Sequence, residues 1–189
     1  MPEPVEKVLK SAEAMQSLLN QVQPQQLQLQ SGWRPASVVL IVQPERSGSG
    51  LWFIRRSDRL RNHAGQIAFP GGKQDPEDPD PWHTAVREAE EELELPGEQL
   101  LRLGQLDDCW TPTGFRIRPF VAWNQGKPPR PAGNGEVELA FQLPIAPLLE
   151  VDCALPWPRY PSPHGQIWGA TGRILHQWLS LLRGEDRST

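Results

Sequence analysis

Apolar positions recur at helical spacing from about Val5 to Val22, which predicts an amphipathic helix. The glutamine-rich run Gln23 to Gly32 then reads as a polar connector, so residues 1–30 are expected to form an N-terminal helix with its connector and 31–189 the main domain. Ser37 to Val42 is β-branched and apolar, Leu51 to Ile54 is apolar and aromatic, and Gly48-Ser49-Gly50 lies between them, the pattern of a hairpin. A helix is predicted to begin near Pro81, a residue suited to an early helical position, and to be broken by Gly97 after Pro96. Strands follow at Leu100 to Leu106 and Phe115 to Trp123, separated by the turn-forming Thr111-Pro112-Thr113-Gly114. After a proline- and glycine-rich loop from Gly126 to Gly135, the pattern gives a strand at Glu136 to Leu143, a short helix at Ile145 to Leu149 and an amphipathic helix at Thr171 to Leu182. This order of strands and helices fits an α/β fold, an α/β/α sandwich around a mixed central sheet.

Composition narrows the class. The chain has 189 residues, 38% of them hydrophobic, and no long apolar run, which suits one soluble domain and no membrane partner. Charged residues interspersed through the first ten positions speak against a secretory signal. Two cysteines, Cys109 and Cys153, make no disulfide framework and have no metal-ligand spacing, so a reducing, cytoplasmic setting is expected. A formal charge of −4 argues against a nucleic-acid partner held through its phosphates. Locally the balance reverses, because Arg55, Arg56, Arg59 and Arg61 fall within seven residues just before a glycine turn.

The candidate chemistry lies on the helix that follows this turn. On a helical wheel at about 100° per residue, Ala85, Val86, Ala89 and Leu93 share a narrow apolar arc. Glu88, Glu91 and Glu92 cluster in a second arc roughly 120° away, at the edge of the core. Like charges three and four residues apart repel, and a hard divalent cation such as Mg²⁺ or Mn²⁺, which prefers oxygen ligands, removes that repulsion. Glu88, Glu91 and Glu92 are therefore the leading metal ligands, while Glu90 and Glu94 point elsewhere.

The string from Gly71 to Leu95 resembles a Nudix box, with Gly72, Asp78, Arg87, Glu88, Glu91 and Glu92 in register. The upstream segment Arg55 to Gly72 is similar to the extra signature of the coenzyme A pyrophosphatase branch, through Arg56-Ser57, Arg61, Gly65 and Phe69-Pro70-Gly71-Gly72. The interval from Gly72 to Arg87 is one residue longer than in most Nudix boxes, which resembles the spacing of that branch. Glu94 stands where a glycine is usual, and Ile54 where the branch has threonine.

The resemblance implies a Nudix-type sandwich and hydrolysis of the diphosphate of coenzyme A or its thioesters, giving 3′,5′-adenosine diphosphate and 4′-phosphopantetheine or its acyl form. It implies that Arg87 orients a glutamate, that Gly72 offers a backbone carbonyl to the metal, and that a later acidic residue, Glu136 rather than Glu138, serves as ligand or base. Arg56, Arg59, Arg61 and His63 are the expected phosphate-binding residues. Nudix hydrolysis of another nucleoside diphosphate derivative, such as ADP-ribose or NADH, and a ligand-sensing Nudix domain without catalysis remain as alternatives. The oligomeric state is not readable from the chain.

Overall fold

A computed structural model describes residues 3–46, 48–153 and 156–185. Two short helices, α1 (Glu3–Val8) and α2 (Ala12–Asn20), stand where the apolar spacing predicts one. Ser11 sits at the break, and its hydroxyl accepts from the Ala14 N–H at 3.2 Å as the N-cap of α2. Val5, Leu9, Met15 and Leu19 are buried in the larger core of the main sheet. The glutamine-rich connector is tied down as well. The buried carboxylate of Asp108 accepts from the Leu27 N–H at 3.0 Å and from both arms of Arg118 at 2.9 Å, while the Asp108 N–H donates to the Gln25 carbonyl.

The predicted hairpin is present as β1 (Arg34–Glu45) and β2 (Gly48–Arg56), with Glu45 paired opposite Gly48. Gly48-Ser49-Gly50 therefore belongs to β2 and not to the turn. Two short strands, β3 (Ile67–Ala68) and β4 (Gly71–Lys73), lead into α3 (Pro81–Leu93). Beyond it come β5 (Leu100–Gln105), β6 (Cys109–Thr111), β7 (Phe115–Asn124) and β8 (Val137–Pro144). The chain continues through α4 (Ile145–Leu149), the small hairpin β9 (Tyr160–Ser162) and β10 (Gly165–Ile167), and α5 (Gly169–Arg183).

The main sheet runs β3-β2-β1-β7-β5, with β4 on β1, β6 on β7 and β8 on β2. It is mixed, since β1 and β7 pair in parallel from Arg34 opposite Phe115 to Val42 opposite Trp123 while the remaining pairs are antiparallel. Strand alternation then assigns the two faces. Val39, Ile41, Phe120 and Ala122 meet Ala85, Ala89 and Leu93 of α3 on one side. Leu40, Val42, Val121 and Trp123 face the larger core on the other, which also holds Leu175, Trp178 and Leu179 of α5. Both faces are covered, which is why β1 reads as a continuous apolar run in the sequence. This is the expected α/β/α sandwich.

Asp80 caps the start of α3, accepting from the His83 N–H at 3.0 Å, with Pro81 in the first turn where its missing N–H costs nothing. The end differs from expectation. Glu94, with φ 48°, forms the left-handed C-cap, so the helix stops three residues before Gly97. Among the described residues no helix is long and apolar enough to cross a membrane, and both cysteines are free.

Candidate active site

Helix α3 lies against β4, and this contact assembles the site. The Gly71 N–H donates to Glu92 Oε2 at 3.0 Å. A Cβ built on Gly72 would lie 2.4 Å from the Glu88 carboxylate, so the absent side chain is what admits that carboxylate against the strand. The three helix glutamates do not share one environment. Their side-chain exposure falls from 56% at Glu91 to 17% at Glu88 and 3% at Glu92, so Glu92 is inside the core edge and not beside it.

Charge follows burial. Glu92 has its pKa pushed up to about 8, first by burial and then by the neighbouring Glu88 and Glu136, against the pull of the Gly71 N–H and of Arg56. Glu88 is raised too, again chiefly by burial, with Glu91 and Glu136 adding to it and Arg87 opposing. Glu136 thus acts on both carboxylates, although it comes from the loop just before β8 rather than from the helix. Glu138 instead forms an ion pair with Arg55, which also holds Asp58 at 2.9 Å.

Arg87 is bound on several sides. Its Nε and Nη2 donate to the two oxygens of Asp78 at 3.0 and 3.1 Å, Nη2 also reaches the Lys73 carbonyl, and Nη1 faces Glu88 at 3.1 Å and Glu91 at 3.2 Å. Hydrogen bonding to Arg87 holds the Asp78 carboxyl down to about 2. Asp78 fixes the arginine, and the arginine fixes two glutamates. Glu90 accepts from the Gly97 N–H at 2.6 Å, away from this cluster.

Residues 33–158 match the NUDIX domain family. The chain belongs to this family. It is 38% identical over 127 residues to the uncharacterized Nudix hydrolase NudL of Yersinia enterocolitica, a match covering 67% of this chain and 64% of that relative. The chain thus spans just under two thirds of the relative's length. Among solved structures, an Ap4A hydrolase binary complex from C. elegans is similar with a TM-score of 0.54 and 16% identity, covering 79% of this chain and 93% of that one. The MutT protein from Methanosarcina mazei Go1 gives a TM-score of 0.54 at 17% identity, with coverage of 83% and 98%. At such identities the likeness establishes the fold.

The Nudix box and its upstream signature meet in space. Arg56 Nη1 lies 3.6 Å from Glu92 Oε1, across the sheet edge from α3. Arg56 is thus turned toward a glutamate. Arg59, Arg61 and His63 lie exposed on the loop between β2 and β3; His63 Nδ1 is 2.8 Å from Gln66 Oε1, and among the described residues no hydrogen bond or ion pair joins these three to the Nudix glutamates. Among the described residues, too, no three acidic, histidine or cysteine side chains converge as a finished metal cage. The donor set nevertheless fits a hard cation, being all oxygen, with two carboxylates whose burial and mutual repulsion leave them short of positive charge.

Sequence reasoning passed over Asp78 as a site residue, though it stands in the box, and over Asn134, whose amide bridges Glu91 and Glu136. Asp78 had a signal in its register; Asn134, in an irregular loop, had none.

Proposed function

We propose that the protein is a metal-dependent Nudix pyrophosphohydrolase that splits the diphosphate of coenzyme A or acyl-coenzyme A into 3′,5′-adenosine diphosphate and 4′-phosphopantetheine or its acyl form. The observation that carries the reading is the buried carboxylate of Glu92 and the half-buried one of Glu88, held against the glycine backbone of β4 with Glu136 acting on both. Burying two carboxylates together is costly without a cation. Glu88, Glu91, Glu92 and the Gly72 carbonyl would hold Mg²⁺ or Mn²⁺. Such an ion supplies positive charge against the diphosphate oxygens and acidifies water at neutral pH.

The chain's own groups divide the remaining work. Arg87, itself fixed by Asp78, keeps Glu88 and Glu91 on the side of α3 that faces the strand end. Glu136 or a helix glutamate accepts the proton of the attacking water. Arg56 balances Glu92. Arg59, Arg61 and His63, exposed on the preceding loop, are left to meet the phosphates, and the similarity of Arg56-Ser57, Arg61 and Phe69 to Gly72 to the coenzyme A signature supports a 3′-phosphate as one of them.

The test is a panel of coenzyme A, dephospho-coenzyme A, ADP-ribose and NADH with Mg²⁺ and with Mn²⁺, read by mass spectrometry. Coenzyme A should be cleaved about ten- to hundredfold more efficiently than dephospho-coenzyme A, the size of one charge-assisted hydrogen bond. That preference should shrink in Arg59→Ala or Arg61→Ala. Equal cleavage of the two, or preference for ADP-ribose or NADH, would reassign the substrate, and binding without turnover of any would make the domain a sensor.

A further inference from the structure

The last turn of α3 ends in carbonyls that no helical N–H reaches. The loop leading into β8 satisfies three in succession. The Arg130 N–H donates to the Leu93 carbonyl at 2.9 Å, the Ala132 N–H to that of Glu92 at 3.0 Å, and Asn134 Nδ2 to that of Glu91 at 3.0 Å. The first two are backbone contacts open to almost any sequence. The third depends on a side chain.

The other end of the same amide accepts from the Glu136 N–H at 3.0 Å. A backbone carbonyl can only accept and a backbone N–H can only donate, so a single orientation of the amide serves both partners. Gly133 and Gly135, on either side, have φ of 65° and 86°, and nothing lies within 4 Å of where their Cβ atoms would be. The loop is therefore unconstrained by packing at both flanks. On its far side the Glu136 carbonyl accepts from the Ser57 N–H at 2.8 Å, at the end of β2. Glu136 is clamped between β2 and α3, and Asn134 is the α3 half of the clamp.

We propose that Asn134 is a positioning residue: its amide joins the backbone of Glu91 to the backbone of Glu136 and so sets where the Glu136 carboxylate stands relative to Glu88 and Glu92. The inference rests on the reading of Glu136 as ligand or base. Asn134 touches neither substrate nor metal; its amide also caps the Glu91 carbonyl, and the effect on turnover is assigned to its hold on Glu136.

Two measurements on the purified full chain test it. Residue-resolved amide exchange should show Glu136 N–H exchanging at least about tenfold faster in Asn134→Ala, since a hydrogen bond of ordinary strength has been removed. Steady-state kinetics with coenzyme A and Mg²⁺ should show Asn134→Ala lowering kcat about tenfold with KM unchanged. In a Glu136→Gln background the same change should cost less than about twofold, because the group being positioned is already disabled. Unchanged protection of Glu136, or losses that multiply in the double variant, would overturn the proposal. If Glu136→Gln alone keeps the wild-type rate, the role given to Glu136 fails instead, and the exchange rate by itself decides whether Asn134 anchors the loop.

Discussion

At Gly72 the Glu88 carboxylate fills the space that a side chain would take. The φ of Gly72 lies outside the left-handed region, so alanine can adopt the backbone, and the clash is with the far end of a flexible side chain. Gly72→Ala should therefore fold with nearly unchanged stability while displacing Glu88. Turnover should fall roughly a hundredfold, as misplacement of a catalytic group by about 1 Å does. Thermal melts and kinetics on one preparation check this, and an active variant would separate Gly72 from the site. At this scale the sequence was informative about identity and silent about environment. Glu88, Glu91 and Glu92 were legible from helical spacing, but their graded burial depends on how deeply α3 sits on the sheet, which spacing alone does not encode. The turn of Arg56 toward Glu92 joins residues 36 positions apart.

Helix α3 shows what an element contributes. Its start was legible in Pro81, and its cap Asp80 supplies the side-chain acceptor such a start needs. Its end was misjudged because Glu94 occupies a left-handed position that glycine usually takes. Holding a non-glycine residue there costs about 1 kcal/mol or more. Glu94→Gly should consequently stabilise the protein by about 0.5–1 kcal/mol in urea denaturation, after the added flexibility of glycine in the unfolded chain is offset. A loss of stability would mean that Glu94 makes a compensating contact. Other elements escaped the sequence for physical reasons. β3, β4, β6, β9 and β10 are two or three residues long, too short for alternation to register, and they form where a longer neighbour offers an edge. The break between α1 and α2 was signalled only by Ser11 as a capping residue.

Across the whole molecule, α3 with its carboxylates covers one face of the sheet and a larger apolar core fills the other. The second core contains a polar link, Tyr160 Oη to His176 Nδ1 at 2.8 Å, joining β9 to α5. Burial and the charge of Arg183 lower the pKa of His176 below its ordinary 6.5. A base depressed in the fold contributes stability that is complete above the unfolded value and is lost as pH falls through the folded one. The contribution of His176 should accordingly decline as pH drops below 6.5, while Glu92, raised to about 8, works in the opposite direction over the same range; His176→Gln, which cannot gain the proton, should therefore gain stability relative to the wild type between about pH 7.5 and about pH 5. Equal slopes in urea denaturation would exclude His176 as the source. On the α3 face, the carboxylates are proposed as a metal-dependent diphosphate hydrolysis site. Its most direct test is coenzyme A turnover with Mg²⁺ by the wild-type protein and by Glu88→Gln, Glu91→Gln and Glu92→Gln, each variant keeping its size while losing a charge. The wild type should yield 3′,5′-adenosine diphosphate and 4′-phosphopantetheine, and turnover should fall at least about a hundredfold in each variant, some 2.7 kcal/mol of transition-state stabilisation; near-normal rates in all three folded variants would contradict a metal site on α3.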